Sequence, residues 1–153
     1  MIVRRLGLAQ EATFANPAYL RCHEVLRSVA DLQGREMIGF ASSCTGQVLP
    51  LEFTVKGELQ TMMLPFRITV TNADSYAAMA RLGFGLMQAP RYRYAKDVAA
   101  GRLVEVLHEY PPSPQLVSVL YPKSRQLSPR VCVFIDWLVE VVVPKLRLLR
   151  AFV

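Results

Sequence analysis

Apolar residues along this chain fall in short runs cut by proline, glycine and small polar residues, a rhythm of brief strands and helices. Residues 2–15 read as extended segments around Gly7. Asn16-Pro17 supplies an N-cap with proline at the first helical position, which predicts a helix over about 18–25. Residues 28–34 read as a turn region, 37–41 as a short apolar strand, and 42–46 as a loop of small polar residues. Segments 51–55 and 59–64 predict a hairpin about Lys56-Gly57-Glu58.

The clearest unit follows. Residues 66–71 alternate as a strand, Asn72 caps a helix over 73–82, and Gly83 stands where a left-handed C-cap belongs. Residues 84–88 then form a short apolar strand ended by Pro90. Strand, helix and strand at this spacing predict a βαβ crossover and parallel strands. Residues 94–100 read as a short helix closed by Gly101, 103–107 and 116–120 as strands, and Pro111, Pro112 and Pro114 as a rigid turn between them. Ser128-Pro129 opens a last helix, which Pro144 is expected to stop at about residue 143. Val131, Phe134, Ile135, Leu138 and Val142 share one of its faces, widened by Val133, Trp137 and Val141. Such a helix needs cover on more than one side, some of it from a partner or from residues outside the chain.

Composition changes the picture little. At 153 residues, half of them apolar and a fifth charged, the chain has enough apolar sequence for a real core. Its net charge of +6 falls to +3 without the last ten residues, which hold Lys145, Arg147, Arg150 and no acid. That spread argues against direct DNA binding. Cys22, Cys44 and Cys132 are distant and odd in number, and neither they nor His23 and His108 have metal-ligand spacing, so reduced thiols are expected. The start lacks an apolar stretch of signal-peptide length. The most apolar run, 131–143, is broken by Asp136 and Glu140 and is too short to span a bilayer. The reading is a cytoplasmic protein without a membrane partner.

A series of segments now carries a resemblance. Arg4-Arg5-Leu6-Gly7, Asn16-Pro17-Ala18-Tyr19-Leu20, Asp31-Leu32, Ile38-Gly39-Phe40, Thr71-Asn72-Ala73-Asp74-Ser75 and Leu82-Gly83-Phe84-Gly85 stand in one order. They lead into Gly101-Arg102-Leu103-Val104-Glu105-Val106-Leu107, Leu116-Val117-Ser118-Val119-Leu120-Tyr121-Pro122 and Ser128-Pro129-Arg130-Val131. This order resembles the C-terminal part of the effector-binding domain of LysR-type transcriptional regulators and covers nearly all but the last ten residues. The resemblance implies an α/β, periplasmic-binding-protein-like (type II) fold, with an effector in the cleft between two subdomains. The chain would then divide into entering strands (1–15), a second Rossmann-like subdomain (16–115), the returning strand and C-terminal helix of the first subdomain (116–143), and a basic tail (144–153). Met1 would lie past the winged helix-turn-helix of such a regulator, and no such motif is found in the sequence. DNA contact is therefore expected only through a domain this chain lacks. Cys132 departs from the arginine usual after Ser-Pro-Arg-Val, and the sequence beyond Pro144 is idiosyncratic.

The candidate effector residues are Ser42, Ser43, Cys44 and Thr45, which leave a strand and by resemblance face the cleft, with Asn72, Ala73 and Asp74 at a helix start, and Pro90. Backbone amides at a helix N-terminus suit the carboxylate of a small organic or aromatic acid. The plainer possibility is that Asn72 only caps its helix and the Ser/Thr loop is solvated. A thiol hydrolase built on Cys44 with His23 or His108 is weighed and set aside. No nucleophile elbow, metal motif or phosphate loop is present, and no cofactor is implied. Arg91, Tyr92, Arg93, Tyr94 and Lys96 interleave bases and aromatics as single-strand binders do, but read better as a turn with tyrosines on the core. Residues 146–150 form a short basic amphipathic turn, read as a frayed end. The reading is thus an effector-sensing and oligomerising part of a regulator, working as a homo-oligomer or with a full-length relative. The alternative is a truncated or dominant-negative assembly piece that binds no ligand.

Overall fold

The alternation in residues 2–15 resolves into two strands, β1 (Ile2–Ala9) and β2 (Glu11–Ala15), broken at Gln10. The break separates two units of the computed structural model, which describes residues 1–123 and 127–148: Met1–Gln10 with Pro114–Val153, and Glu11–Ser113.

In the Glu11–Ser113 unit, Asn16 accepts a hydrogen bond from Ala18 N (2.7 Å) and starts α1 (Pro17–Arg21). This helix ends four residues before the expected 25. The His23 ring Nδ1 donates to Tyr19 O (2.8 Å), the carbonyl that His23 N would take in a continuing helix, and His23 N turns to Leu20 O instead. β3 (Gly39–Phe40) follows, then the hairpin β4 (Leu51–Val55) and β5 (Glu58–Met62), closed by Lys56-Gly57, with both residues at positive φ as a type I′ turn requires. β6 (Thr69–Val70) leads to α2 (Ala73–Arg81), capped by Asn72 at Ser75 N (2.9 Å) and ended by a Schellman pair, Gly83 N to Ala80 O and Phe84 N to Met79 O. β7 (Met87–Pro90), α3 (Ala95–Ala99) and β8 (Val104–Val106) complete the unit.

β3 and β6 pair in parallel, and the bridge Met37–Leu86 brings in the start of β7, also parallel. The expected crossover is thus present, although its strands are shorter than 66–71 and 84–88. β7 then pairs antiparallel with β2, and β2 with β8, giving the order β6–β3–β7–β2–β8. Side chains alternate along β2. Ala12 and Phe14 join Ile38, Ala77, Ala80 and Met87 on the α2 side, while Ala15 packs with Met37, Leu51, Phe53 and Leu86 on the hairpin side. Fully burying a side chain such as Phe14 or Phe53 contributes roughly 1.5–3 kcal/mol. Gly85 (φ +143) lets the strands close: a Cβ there would lie 2.7 Å from Glu36 O.

The other unit pairs β1 antiparallel with β9 (Gln115–Tyr121), with a register shift between Arg5 and Gly7, under α4 (Pro129–Leu148). Pro144 does not stop α4 at 143. It forfeits one backbone N–H, but Leu146 in the next turn is buried against Gly7, whose absent Cβ would lie 3.3 Å from Leu146 Cδ1. The inward face runs through Ile135, Leu138, Val142 and Leu146. Phe134, expected on that face, is exposed and stacks on Trp137 (5.8 Å), with Val131 and Val133 also exposed. Leu149 and Arg150 of the expected basic turn lie outside the described residues, as do Ser124, Arg125 and Gln126.

Candidate functional site

Parallel strands end on one side, so β3, β6 and β7 discharge their chain at a common carboxyl edge of the sheet. The residues named from sequence leave there: Ser42, Ser43, Cys44 and Thr45 after β3, Asn72, Ala73 and Asp74 after β6, and Pro90 at the end of β7. The first loop is internally bonded. Ser42 N donates to Gln47 O (2.9 Å), Cys44 N to Ser42 Oγ (3.2 Å) and Gln47 N to Thr45 Oγ1 (3.3 Å), while Ser43, Cys44 and Thr45 stay exposed. Asn72 spends its oxygen on the cap. Asp74 is exposed and pairs with Arg93 (2.9 Å), and Ala73 O accepts from the Tyr94 hydroxyl (3.5 Å). Of the two tyrosines expected on the core, Tyr94 packs edge-on against Phe14, whereas Tyr92 is exposed.

Pro90 sits opposite Glu11 in the β2–β7 register, so Glu11 opens β2 at this same edge. Glu11, Thr13 and Gln88 form a polar row on the hairpin side of the sheet. Gln88 accepts from Glu52 N (2.8 Å) and donates to Thr13 Oγ1 (3.0 Å) and Glu52 O (2.7 Å), and its own backbone N donates to the Tyr76 hydroxyl (3.1 Å). Ser113 Oγ donates to Glu52 Oε2. Glu11 is only 6% exposed, and its Oε1 has no hydrogen-bond partner among the described residues. Burial pushes its carboxyl up to about 7, helped by the like charge of Glu52. Burial likewise carries the Tyr76 phenol up to about 12. The sequence signal for this row is the alternation of Glu11 and Thr13 with the apolar Ala12 and Phe14, which puts an acid on one face of a fully buried strand.

A concavity of about 490 Å³ opens at the opposite, amino edge, between the Arg67–Glu36 ion pair, Tyr19, His23 and Phe84. It contains none of the effector residues named from sequence. Cys44 and His23 therefore lie at opposite edges of the sheet. No cluster of three metal-ligating side chains occurs among the described residues, and no helix among them is long and apolar enough to cross a membrane.

Residues 1–143 match the profile of the LysR substrate binding domain. The chain belongs to this LysR family. An uncharacterized HTH-type transcriptional regulator of Escherichia coli, YhjC, is 30% identical over 141 residues, 92% of this chain and 47% of the relative. An HTH-type transcriptional repressor of Pseudomonas aeruginosa is 29% identical over 140 residues, 92% of this chain and 44% of its own. The chain thus spans about half the length of the curated relatives it matches. Among solved structures, the regulatory domain of the LysR-type regulator CrgA from Neisseria meningitidis superposes with a TM-score of 0.77 at 21% identity, covering 91% of this chain and 67% of that one. Full-length AphB, a virulence activator of Vibrio cholerae, gives 0.76 at 20% identity, covering 92% and 47%. The α/β, periplasmic-binding-protein-like fold expected from sequence is therefore the fold of this LysR domain, and the relatives are transcriptional regulators.

Proposed function

We propose that the chain is the effector-sensing part of a LysR-type transcriptional regulator, taking a small organic molecule at the carboxyl edge of the Glu11–Ser113 sheet. The observation that carries this reading is the convergence there of three strand exits over a buried polar row, the place where open α/β sheets take ligands. Amides at the start of α2 favour an organic or aromatic acid. A ligand held by these loops would shift the population of conformers and, in a whole regulator, change how its DNA-binding heads meet DNA. Such a protein works in the cytoplasm as an oligomer of itself or with a full-length relative, and DNA contact belongs to the winged helix-turn-helix of such a regulator.

The test is a thermal melt with a panel of small aromatic and dicarboxylic acids. Ligand at about a hundred times its dissociation constant adds roughly 2.7 kcal/mol, which is several degrees for a domain of this size. A second reading, an assembly piece without ligand, draws on the exposed Val133, Phe134 and Trp137 of α4. A melt that never moves, with a dimer in sedimentation equilibrium, would favour it.

A further inference from the structure

The carboxyl edge carries a charge balance that the sequence alone does not show. Two arginines stand beside it, and each faces an acid: Arg93 makes one bond to Asp74 in an exposed pair, and Arg91 grips both oxygens of Glu105 (2.6 and 3.2 Å). A ligand carboxylate therefore competes with Asp74 or Glu105 for either guanidinium. The acids behave differently. Glu52 accepts from Ser113, but Glu11 presents an oxygen with no donor among the described residues, although the residue is nine-tenths buried. The side-chain amide of Gln88 gives its hydrogens to Thr13 and Glu52, and the Ser113 hydroxyl gives its own to Glu52 rather than to Glu11. A buried acceptor left unsatisfied is costly, and a charged one more so. The group that best removes that cost is a positively charged N–H donor, because a charge-assisted bond to a carboxylate is about twice as strong as a neutral one.

We infer that Glu11 selects the charge of the effector: its orphaned oxygen, at an edge whose arginines are already paired, takes a small molecule bearing a protonated amine in preference to one bearing only a carboxylate. The inference rests on the effector-sensing reading above and amends its expectation of an acid. An effector carrying both groups satisfies both, with its ammonium on Glu11 and its carboxylate at the start of α2. Burial and Glu52 keep part of the Glu11 population protonated near neutrality. An arriving ammonium stabilises the ionised form, so binding releases a fraction of a proton.

The experiment uses three probes that share a ring and differ in charge: benzylamine, benzyl alcohol and benzoate. Each is added at matched millimolar concentration, just above neutral pH, to the full chain, to Glu11→Gln, and to Glu58→Gln as a control on the exposed hairpin strand. Benzylamine is expected to raise the melting temperature of the parent and of Glu58→Gln more than the other two probes do. Glu11→Gln should lose that preference, with apparent affinity for benzylamine falling at least about tenfold. A larger shift with benzoate than with benzylamine, or an amine shift unchanged in Glu11→Gln, overturns the assignment while leaving the sensor reading in place. Silence with all three also overturns it, and if the acid panel is silent too, the sensor reading falls with it. Glu11→Gln removes a buried charge rather than creating one, so its own cooperative melt reports whether the variant is folded.

Discussion

Glu11 and Asp97 set opposite pH limits on the fold. The Glu11 carboxyl titrates near 7 in the folded chain against about 4.5 unfolded, so folding favours its protonated form. Its contribution is complete below about 4.5 and is lost as pH rises to about 7, a difference of about 3 kcal/mol in order of magnitude. Urea unfolding at a series of pH values should show this decline in the parent and a flatter profile in Glu11→Gln. Asp97 behaves in the reverse sense. It is buried, accepts both hydrogen bonds from Arg81 (2.8 and 2.9 Å) and one from Arg102 (2.8 Å), and is held down to about 2. Its contribution stands above 3.8 and is lost as pH falls toward 2. Asp97→Asn, which keeps the shape and loses the charge, should cost about 2 kcal/mol at neutral pH and weaken the acid limb of the same curve. The Asn72 cap was legible in the sequence because its partner, Ser75 N, is three residues away. The burial of Glu11 was not, because it depends on the pairing of β2 with β7, a strand about 80 residues away, and its raised titration on Glu52 of the hairpin.

Elements follow the same division between local and distant causes. The hairpin, the α2 helix and its Schellman end were readable, since turn residues and caps act within a few positions. α1 and α4 were misjudged at their C-termini, one too long and one too short. The deciding contacts were the His23 ring on Tyr19 O and the Leu146 side chain on Gly7. Leu146→Ala should therefore cost about 2–3 kcal/mol and lower helical ellipticity as the turn beyond Pro144 frays. Gly85→Ala is expected to be worse for its size. It places a methyl 2.7 Å from Glu36 O at a φ of +143, strain that costs about 3 kcal/mol or more and shows as a lower denaturation midpoint.

For the whole molecule, the family was readable from the order of many weak local motifs, while the strand order was not. Nothing local places β2 between β7 and β8, because both pairings join segments some 75 to 90 residues apart in the chain. The two units also differ in how much they bury. Glu11–Ser113 encloses Phe14, Phe53, Leu32 and Leu86, whereas β1 and β9 form a two-stranded ribbon with Val3, Leu116 and Leu120 exposed. Such a ribbon is marginal alone, so amide hydrogen exchange should be slowest in β2 and β7 and about a hundredfold faster in β1 and β9. Equal protection across both units would mean that they unfold as one. One side chain gives the larger unit a mechanical property. Asn16 caps α1 through its oxygen and, through its amide, donates to Arg81 O at the far end of α2, where Arg81 is also clamped by Asp97. The start of α2 is held by the buried Tyr76, whose hydroxyl accepts from Gln88 N, by the Tyr94 hydroxyl on Ala73 O, and at the surface by the Asp74–Arg93 pair. α2 is therefore a lever pinned to the sheet at its head and riveted to α1 at its tail. With a rise of 1.5 Å per residue its nine residues span about 14 Å, so a shift of about 1 Å at the head, with the tail held, tilts it by about 4° and reaches α1 as torque rather than translation.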